Sequence, residues 1–363
     1  MKNILHRNNN FIGYLQSFRG FAILNIVAIH TFGLAVMISS EGSNPLNPIS
    51  VINGLLFHNS TIYFAIISGM LFTAVLKRKG YRYFFLNKLK YIFLPYVFFT
   101  FFYTVFDNNS QEWFDLQPNI HTYLTEVLRN FLYGKASFVF WYIPVLFFLY
   151  LVTPILDYTM NQKRLGIYII TIVIALPLII RRMEVDELLS RDFLSIQTMI
   201  YYTGAYAFGM FVADNLDERM NWISQNMRIF IAVAVVMTIG LLFITIQSID
   251  RFGFFSLRST LFYIQKIALS GIVLSFLKSL GEHQPGWLSP IANSAFTVYF
   301  AHIFFLSISI IPFISFFKSE KIYPFNVLGG GFLLLVTSIL LSMLMVWIFK
   351  RIFGRYSKMI IGS

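Results

Sequence analysis

Long apolar runs recur along the whole chain, separated by short polar segments, near residues 18–37, 49–76, 89–106, 137–156, 165–180, 196–213, 227–247, 257–280, 288–317 and 326–349. Most are about 18 or more residues long, enough for a helix to cross a hydrocarbon core of roughly 30 Å. In lipid a backbone must satisfy its own hydrogen bonds, so such runs predict helices. The expected fold class is all-α, a polytopic membrane protein with about ten transmembrane helices. No loop is long enough for a soluble domain, so residues 1–363 are expected to form a single transmembrane domain. The longest loop, 107–136, contains a stretch at 123–133 whose apolar residues return every three or four positions, as in a helix lying in the membrane interface. No internal repeat is evident, which disfavours inverted-repeat transporters.

Composition reinforces this pattern: 57% of the 363 residues are hydrophobic, 18% aromatic and only 12% charged, outside the range of soluble domains. The first run is longer than a signal-peptide core and lacks a small-residue cleavage site behind it, so it is expected to remain as the first span. There are no cysteines, which excludes disulfides, thiolate nucleophiles and Cys-ligated metal. In a soluble protein the net charge of +12 would suggest nucleic acid. Sorted onto ten spans, however, 17 of the 28 Lys and Arg residues fall on the side of the termini and 9 on the other. The positive-inside rule then places both termini in the cytoplasm and makes a nucleic-acid partner unnecessary.

Polar side chains inside a span are costly and therefore informative. The first run carries Arg19 and His30, eleven residues apart, which puts them on one helix face about 16 Å apart along the axis. The ninth carries Asn293, Ser294, Tyr299 and His302. The eighth has Arg258 near its outer end, with Gln265 and Lys266 deeper. Counting inward places His30, His302 and Lys266 at similar middle-to-outer depths, and Arg19 and Ser68 toward the cytoplasmic end. A neutral imidazole in such a chamber can take a proton from a hydroxyl and return it to a leaving group. It can equally serve as a hydrogen-bonding strut between helices.

The cytoplasmic loop Lys77, Arg78, Lys79, Arg82, Lys88, Lys90 is interleaved with Tyr81, Tyr83, Phe84, Phe85 and Tyr91. Charge and aromatic stacking of this kind suit a nucleotide carrier such as coenzyme A, and suit anionic lipid as well. No Walker loop, dinucleotide fingerprint or His-Glu-x-x-His helix occurs, and no metal site is expected. Acids are essentially missing from the middle of the spans, which counts against a carboxylate-coupled pump.

Five short motifs occur in order: Arg19, Gly20 and Ala22 followed by His30; Phe64, Ser68 and Gly69; a basic stretch from Lys88 to Pro95; Trp141, Tyr142 and Pro144; and Ser294, Tyr299 and His302. In this arrangement the chain resembles, nearly end to end, the integral-membrane acyltransferase-3 family of bacterial envelope O-acyltransferases. Two departures stand out: Gln16 occupies a place where many members have Asp, and Lys88 a place where Arg is usual. The resemblance implies transfer of an acyl group, most often acetyl, from cytoplasmic acyl-coenzyme A to a hydroxyl of an extracytoplasmic glycan or glycolipid, in the cell membrane. It implies His30 as general base with Arg19, Tyr299 and His302 beside it. Ser68, Gly69 and the basic loop would serve the donor, and Lys266, Arg258 and Trp141 the acceptor. Acyl-coenzyme A is then a co-substrate and no cofactor is held permanently. The alternative from another class is an exporter of glycan or small solute, its path lined by the same polar groups.

Overall fold

The computed structural model describes residues 2–39, 46–106, 120–190, 194–249, 255–317 and 324–363, with backbone only at 2–12, 163, 189, 311–317 and 324–326. Among the described residues every regular element is helical. Among the described residues six helices are long and apolar enough to cross a membrane: Gly13–Ile38, Pro48–Lys79, Tyr142–Met160, Met227–Gln247, Leu257–Ser279 and Val327–Ile360. Two shorter apolar helices, Arg164–Leu178 and Ala295–Ile310, accompany them. This is the helix content of a membrane protein, with six spans by length and apolarity where the hydrophobic pattern predicts about ten.

Of the runs outside these six, 288–317 gives a helix, Ala295–Phe317, that is 23 residues long with backbone only from 311, and two others differ for physical causes. The run at 196–213 does form a long helix, Ile196–Asp214, but Tyr201, Tyr202 and Tyr206 lower its apolarity, and all three are fully buried. A helix packed inside a bundle does not need a lipid-facing surface. The run at 89–106 is interrupted, because Leu89–Phe93 is a π-helical turn and only Leu94–Phe106 is regular. By contrast, Met227–Gln247 keeps an exposed apolar surface of Ile229, Ile231, Val235, Val236, Ile239 and Phe243, which lipid would cover.

Numbered along the chain, α1 is Lys2–Ile38, α2 Pro48–Phe57, α3 Thr61–Leu71, α4 Tyr81–Lys88, α5 Leu94–Phe106, α6 Ile120–Tyr133, α7 Tyr142–Met160 and α8 Lys163–Ala175. Then come α9 Val185–Leu189, α10 Ile196–Asp214, α11 Leu216–Gln225, α12 Met227–Gln247, α13 Leu257–Ser279, α14 Leu288–Asn293, α15 Ala295–Phe317, α16 Pro324–Phe353 and α17 Ser357–Ile360.

Two expected spans are broken helices, and both breaks lie at polar residues. Asn47 caps α2, accepting from the amides of Ile49 (2.9 Å) and Ser50 (3.3 Å), and Pro48 occupies the first turn, where its missing N–H does no harm. The helix stops at His58, and Asn59 takes a left-handed φ of 63° before α3 begins. The run at 288–317 is likewise divided at Ser294 into α14 and α15.

At the centre α3 packs on α10 at backbone contact. A Cβ on Gly69 would lie 2.1 Å from the Tyr206 carbonyl oxygen, and one on Gly209 would lie 2.1 Å from that of Ile66. Small residues that let helix backbones meet are the usual device of membrane interiors, where apolar lipid removes the hydrophobic drive between helices. The expected interfacial stretch is α6, which exposes Leu124, Leu128 and Leu132 along one face, while Tyr96 donates to the Phe131 carbonyl at 2.5 Å. Residues 107–119 of that loop lie outside the described residues.

Candidate active site

α1 carries the two polar groups that organise the interior, and α15 meets it at both levels. At one level the Arg19 guanidinium lies 5.1 Å from the centre of the Phe296 ring. Gln16 does not engage Arg19; its amide donates to Asn293 Oδ1 at 2.5 Å. Among the described residues no acid pairs with Arg19. Lys88 turns toward the same place, its Nζ 4.5 Å from the centre of the Tyr150 ring and within electrostatic range of Arg19. Burial, reinforced by that guanidinium, lowers the Lys88 ammonium to about 7. Ser68 is buried and borders the Tyr150 phenol. Two π-helical turns, Phe72–Leu76 and Leu89–Phe93, bracket α4 near this level, and such turns accompany functional sites often enough to note.

The rest of the basic loop divides. Lys77 is committed to Asp157 (2.7 Å) and Asn161 (3.3 Å), with Tyr81 donating to the same carboxylate at 2.6 Å. Lys79 lies over the Tyr83 ring, and Arg78, Arg82 and Lys90 are exposed. Gly69 faces α10, whose backbone fills the space beside it, so it borders no open path for a donor.

At the other level the His30 and His302 rings lie 5.5 Å apart, tilted by 33°. His302 is completely buried, and its Nδ1 lies 2.9 Å from the Val298 carbonyl and 2.8 Å from that of Tyr299. Carbonyls only accept, so Nδ1 carries the proton and Nε2 is the basic nitrogen. That Nε2 is buried with no hydrogen-bond partner among the described residues. His30 lines a cavity of about 100 Å³ and lies edge-on to Phe138 at 5.1 Å. The cavity is also lined by His58, Thr61, Trp141, Arg182 and Tyr299. The Tyr299 hydroxyl donates to the Val139 carbonyl, which fixes the segment bearing Phe138 and Trp141.

The arrangement is therefore a basic nitrogen of fixed tautomer beside a second imidazole at the wall of a cavity that also carries Arg182, with Arg19 and Lys88 at the other level. A family model described as an acyltransferase domain matches residues 12–347. The chain belongs to the acyltransferase-3 family. Comparison with curated proteins and with solved structures gives no match.

Within this acyltransferase, the structure brings His30, His302 and Tyr299 together, and separately Arg19, Ser68 and Lys88. Trp141 joins the cavity. Lys266 does not: its ammonium is fully buried and donates to the Leu56 carbonyl at 2.6 Å, closing the last turn of α2. Arg258 stands over Phe262, 5.9 Å from the ring centre, one ring removed from His58. Sequence reasoning missed His58 and Arg182. The polar run His58, Asn59, Ser60, Thr61 inside an otherwise apolar stretch was the available signal for the first. Arg182 looks like an ordinary loop charge until the fold buries it.

Proposed function

We propose that this acyltransferase moves an acyl group, acetyl most simply, from cytoplasmic acyl-coenzyme A to a hydroxyl of an extracytoplasmic envelope glycan or glycolipid. The observation that carries the reading is the His30–His302 pair, with ring centres 5.5 Å apart, His30 at the cavity wall and the Nε2 of His302 left basic and without a partner among the described residues. His302 is a positioning residue: once a His30 N–H turns to the open Nε2 of His302, the other His30 nitrogen is left basic toward the cavity. That nitrogen takes the acceptor proton, the alkoxide oxygen attacks the thioester carbonyl, the C–O bond forms and the C–S bond breaks. The proton then passes from the imidazolium to the departing thiolate. Arg19 and Lys88 hold donor phosphate at the cytoplasmic end, with both termini in the cytoplasm, and the pantetheine arm covers the roughly 16 Å between the two levels of α1.

Purified protein in detergent or liposomes is expected to release free coenzyme A from acetyl-coenzyme A, faster when a hydroxyl-bearing saccharide is added, and the donor alone is expected to raise its thermal stability by mass action. No release and no stabilisation by any acyl donor would instead favour a solute exporter.

Lys88 gives the donor site a pH dependence. Below about 7 the ammonium is present and meets the donor phosphates fully charged. Above it the free site must take up a proton to regain that charge, so donor affinity is expected to fall as pH rises from 7 to 9. Titration of acetyl-coenzyme A at several pH values checks this, and Lys88→Arg, which stays charged throughout, is expected to flatten the curve. Equal pH dependence in both proteins would remove Lys88 from donor binding.

A further inference from the structure

The cavity wall away from His30 carries polar groups that proton transfer at His30 does not use. The helix break at 58–60 turns the N-terminus of the eleven-residue helix α3 toward the cavity, where Ser60 and Thr61 line it. The amides of Ile62 and Tyr63 bond the Asn59 and Ser60 carbonyls at 3.1 Å, and the aligned peptide dipoles still leave positive partial charge at this helix end, which favours an anion. Against this end lies Arg182, only 3% exposed although it belongs to a connection between helices. Its guanidinium stands 5.4 Å over Trp141, with Nη2 3.2 Å from His58 Nε2 and 3.5 Å from a Glu184 carboxylate oxygen. Nη1 reaches the Tyr202 hydroxyl at 3.5 Å, and that hydroxyl bonds Thr61 at 2.6 Å, tying the guanidinium to the helix terminus. Arg182 Nε is buried with no partner among the described residues.

Charge around this wall is strongly one-sided. Arg182, Arg258 and Lys266 all lie within electrostatic range of His58. The acid paired with Arg182 is Glu184, about one-third exposed at its side chain. One partly exposed carboxylate is all that offsets the buried guanidinium among the described residues, so the wall stays cationic, and a cationic wall beside a helix N-terminus favours an oxyanion. The cavity is large enough for several waters, so an oxyanion and the adjoining part of a sugar ring fit.

We propose that Arg182, Thr61 and the N-terminus of α3 form a subsite for an anionic group on the acceptor, a carboxylate or phosphate, so that the enzyme selects acidic saccharides. The identification of this ligand as the acceptor rests on the acyltransfer reading above; the binding itself does not. Glu184 competes with the ligand for the guanidinium.

The test is binding to purified protein without acyl donor, read by thermal stabilisation at constant ionic strength. Methyl glucuronide, glycerol phosphate and neutral methyl glucoside are compared. At least one anion is expected to stabilise the protein and the glucoside is not; which of the two anions binds more tightly separates a sugar acid from a phosphate-linked acceptor. Arg182→Gln is expected to weaken anion binding about tenfold or more, and Glu184→Gln to tighten it a few-fold. Glu184→Gln leaves the guanidinium in place, so the proposal stays testable if Arg182→Gln does not fold. Stabilisation by methyl glucoside equal to that by the anions, or anion binding unchanged in Glu184→Gln, overturns the proposal. Because no turnover is measured, a protein that releases no coenzyme A can still pass, and an active enzyme can still fail.

Discussion

His30→Ala is expected to lower acyl transfer by about 10²- to 10⁴-fold, the usual contribution of a general base and about 3 to 5 kcal/mol of transition-state stabilisation. The ring lies at the cavity wall, edge-on to Phe138 and 5.5 Å from His302. The alanine protein is therefore expected to insert, to be purified in wild-type yield, and to be stabilised by acetyl-coenzyme A as before, since the proposed mechanism binds the donor phosphates at the Arg19 level. His302→Gln separates positioning from chemistry. Glutamine retains an acceptor near the same place, so a smaller loss is expected, together with a displaced pH–rate profile, because the tautomer of His30 is no longer fixed. A purified His30→Ala protein that transfers acyl groups at the wild-type rate would end the assignment. A His302→Gln protein with an unaltered pH–rate profile would remove the positioning role and leave His30 acting alone.

The amphipathic and apolar periods carried most of the fold. A run such as 227–247 has no other way to satisfy its backbone in lipid, and its helix appears with those bounds. Less visible were features where local sequence and tertiary setting disagree. The stretch 49–76 is apolar enough to look like one span, yet Asn59 and its polar neighbours let the chain break there, and that break creates the cavity. The helix at 196–214 shows the converse, since its tyrosines make it a weak span on paper while its burial makes it central.

The candidate site was legible along α1 and α15 because helical geometry alone fixes which residues share a face. Arg19 and His30 share one face in any α-helix, and the partner motif supplied His302. Groups whose role depends on contacts made across the bundle were not legible in this way. Lys266 has the depth of an acceptor-binding residue, but its ammonium meets the end of α2. Gly69 belongs to a motif beside the donor and is small, which on sequence alone fits a passage for a narrow ligand. In the fold the space beside it is occupied by the Tyr206 carbonyl. Distinguishing a gap kept for a ligand from a gap kept for a neighbouring helix requires knowing what stands opposite.

That distinction leads to the largest expected effect on stability, Gly69→Ala. The added methyl would lie 2.1 Å from the Tyr206 carbonyl oxygen and 2.9 Å from the Met210 amide nitrogen. Both are backbone atoms, so no side-chain rotation relieves the clash and α3 must move away from α10. Overpacking in a close-packed core costs about 1 to 3 kcal/mol, and more where backbone has to shift. Separating these helices also loosens the reciprocal contact, in which Gly209 meets the Ile66 carbonyl. Gly69→Ala is expected to cost about 3 kcal/mol or more and to lower the thermal midpoint of the detergent-solubilised protein sharply, with Gly209→Ala behaving alike. Gly54→Ala supplies the contrast. A Cβ there meets nothing within 4 Å, and Gly54 lies inside α2, where alanine is favoured over glycine by roughly 0.5 to 1 kcal/mol, so a neutral or slightly raised midpoint is expected. The three midpoints distinguish the two explanations of the Phe-x-x-x-Ser-Gly motif. If Gly69→Ala keeps the wild-type midpoint but loses stabilisation by acetyl-coenzyme A, the glycine serves the donor. If the midpoint falls in both Gly69→Ala and Gly209→Ala and not in Gly54→Ala, the motif holds α3 against α10, and the donor is left to Ser68, Arg19 and Lys88.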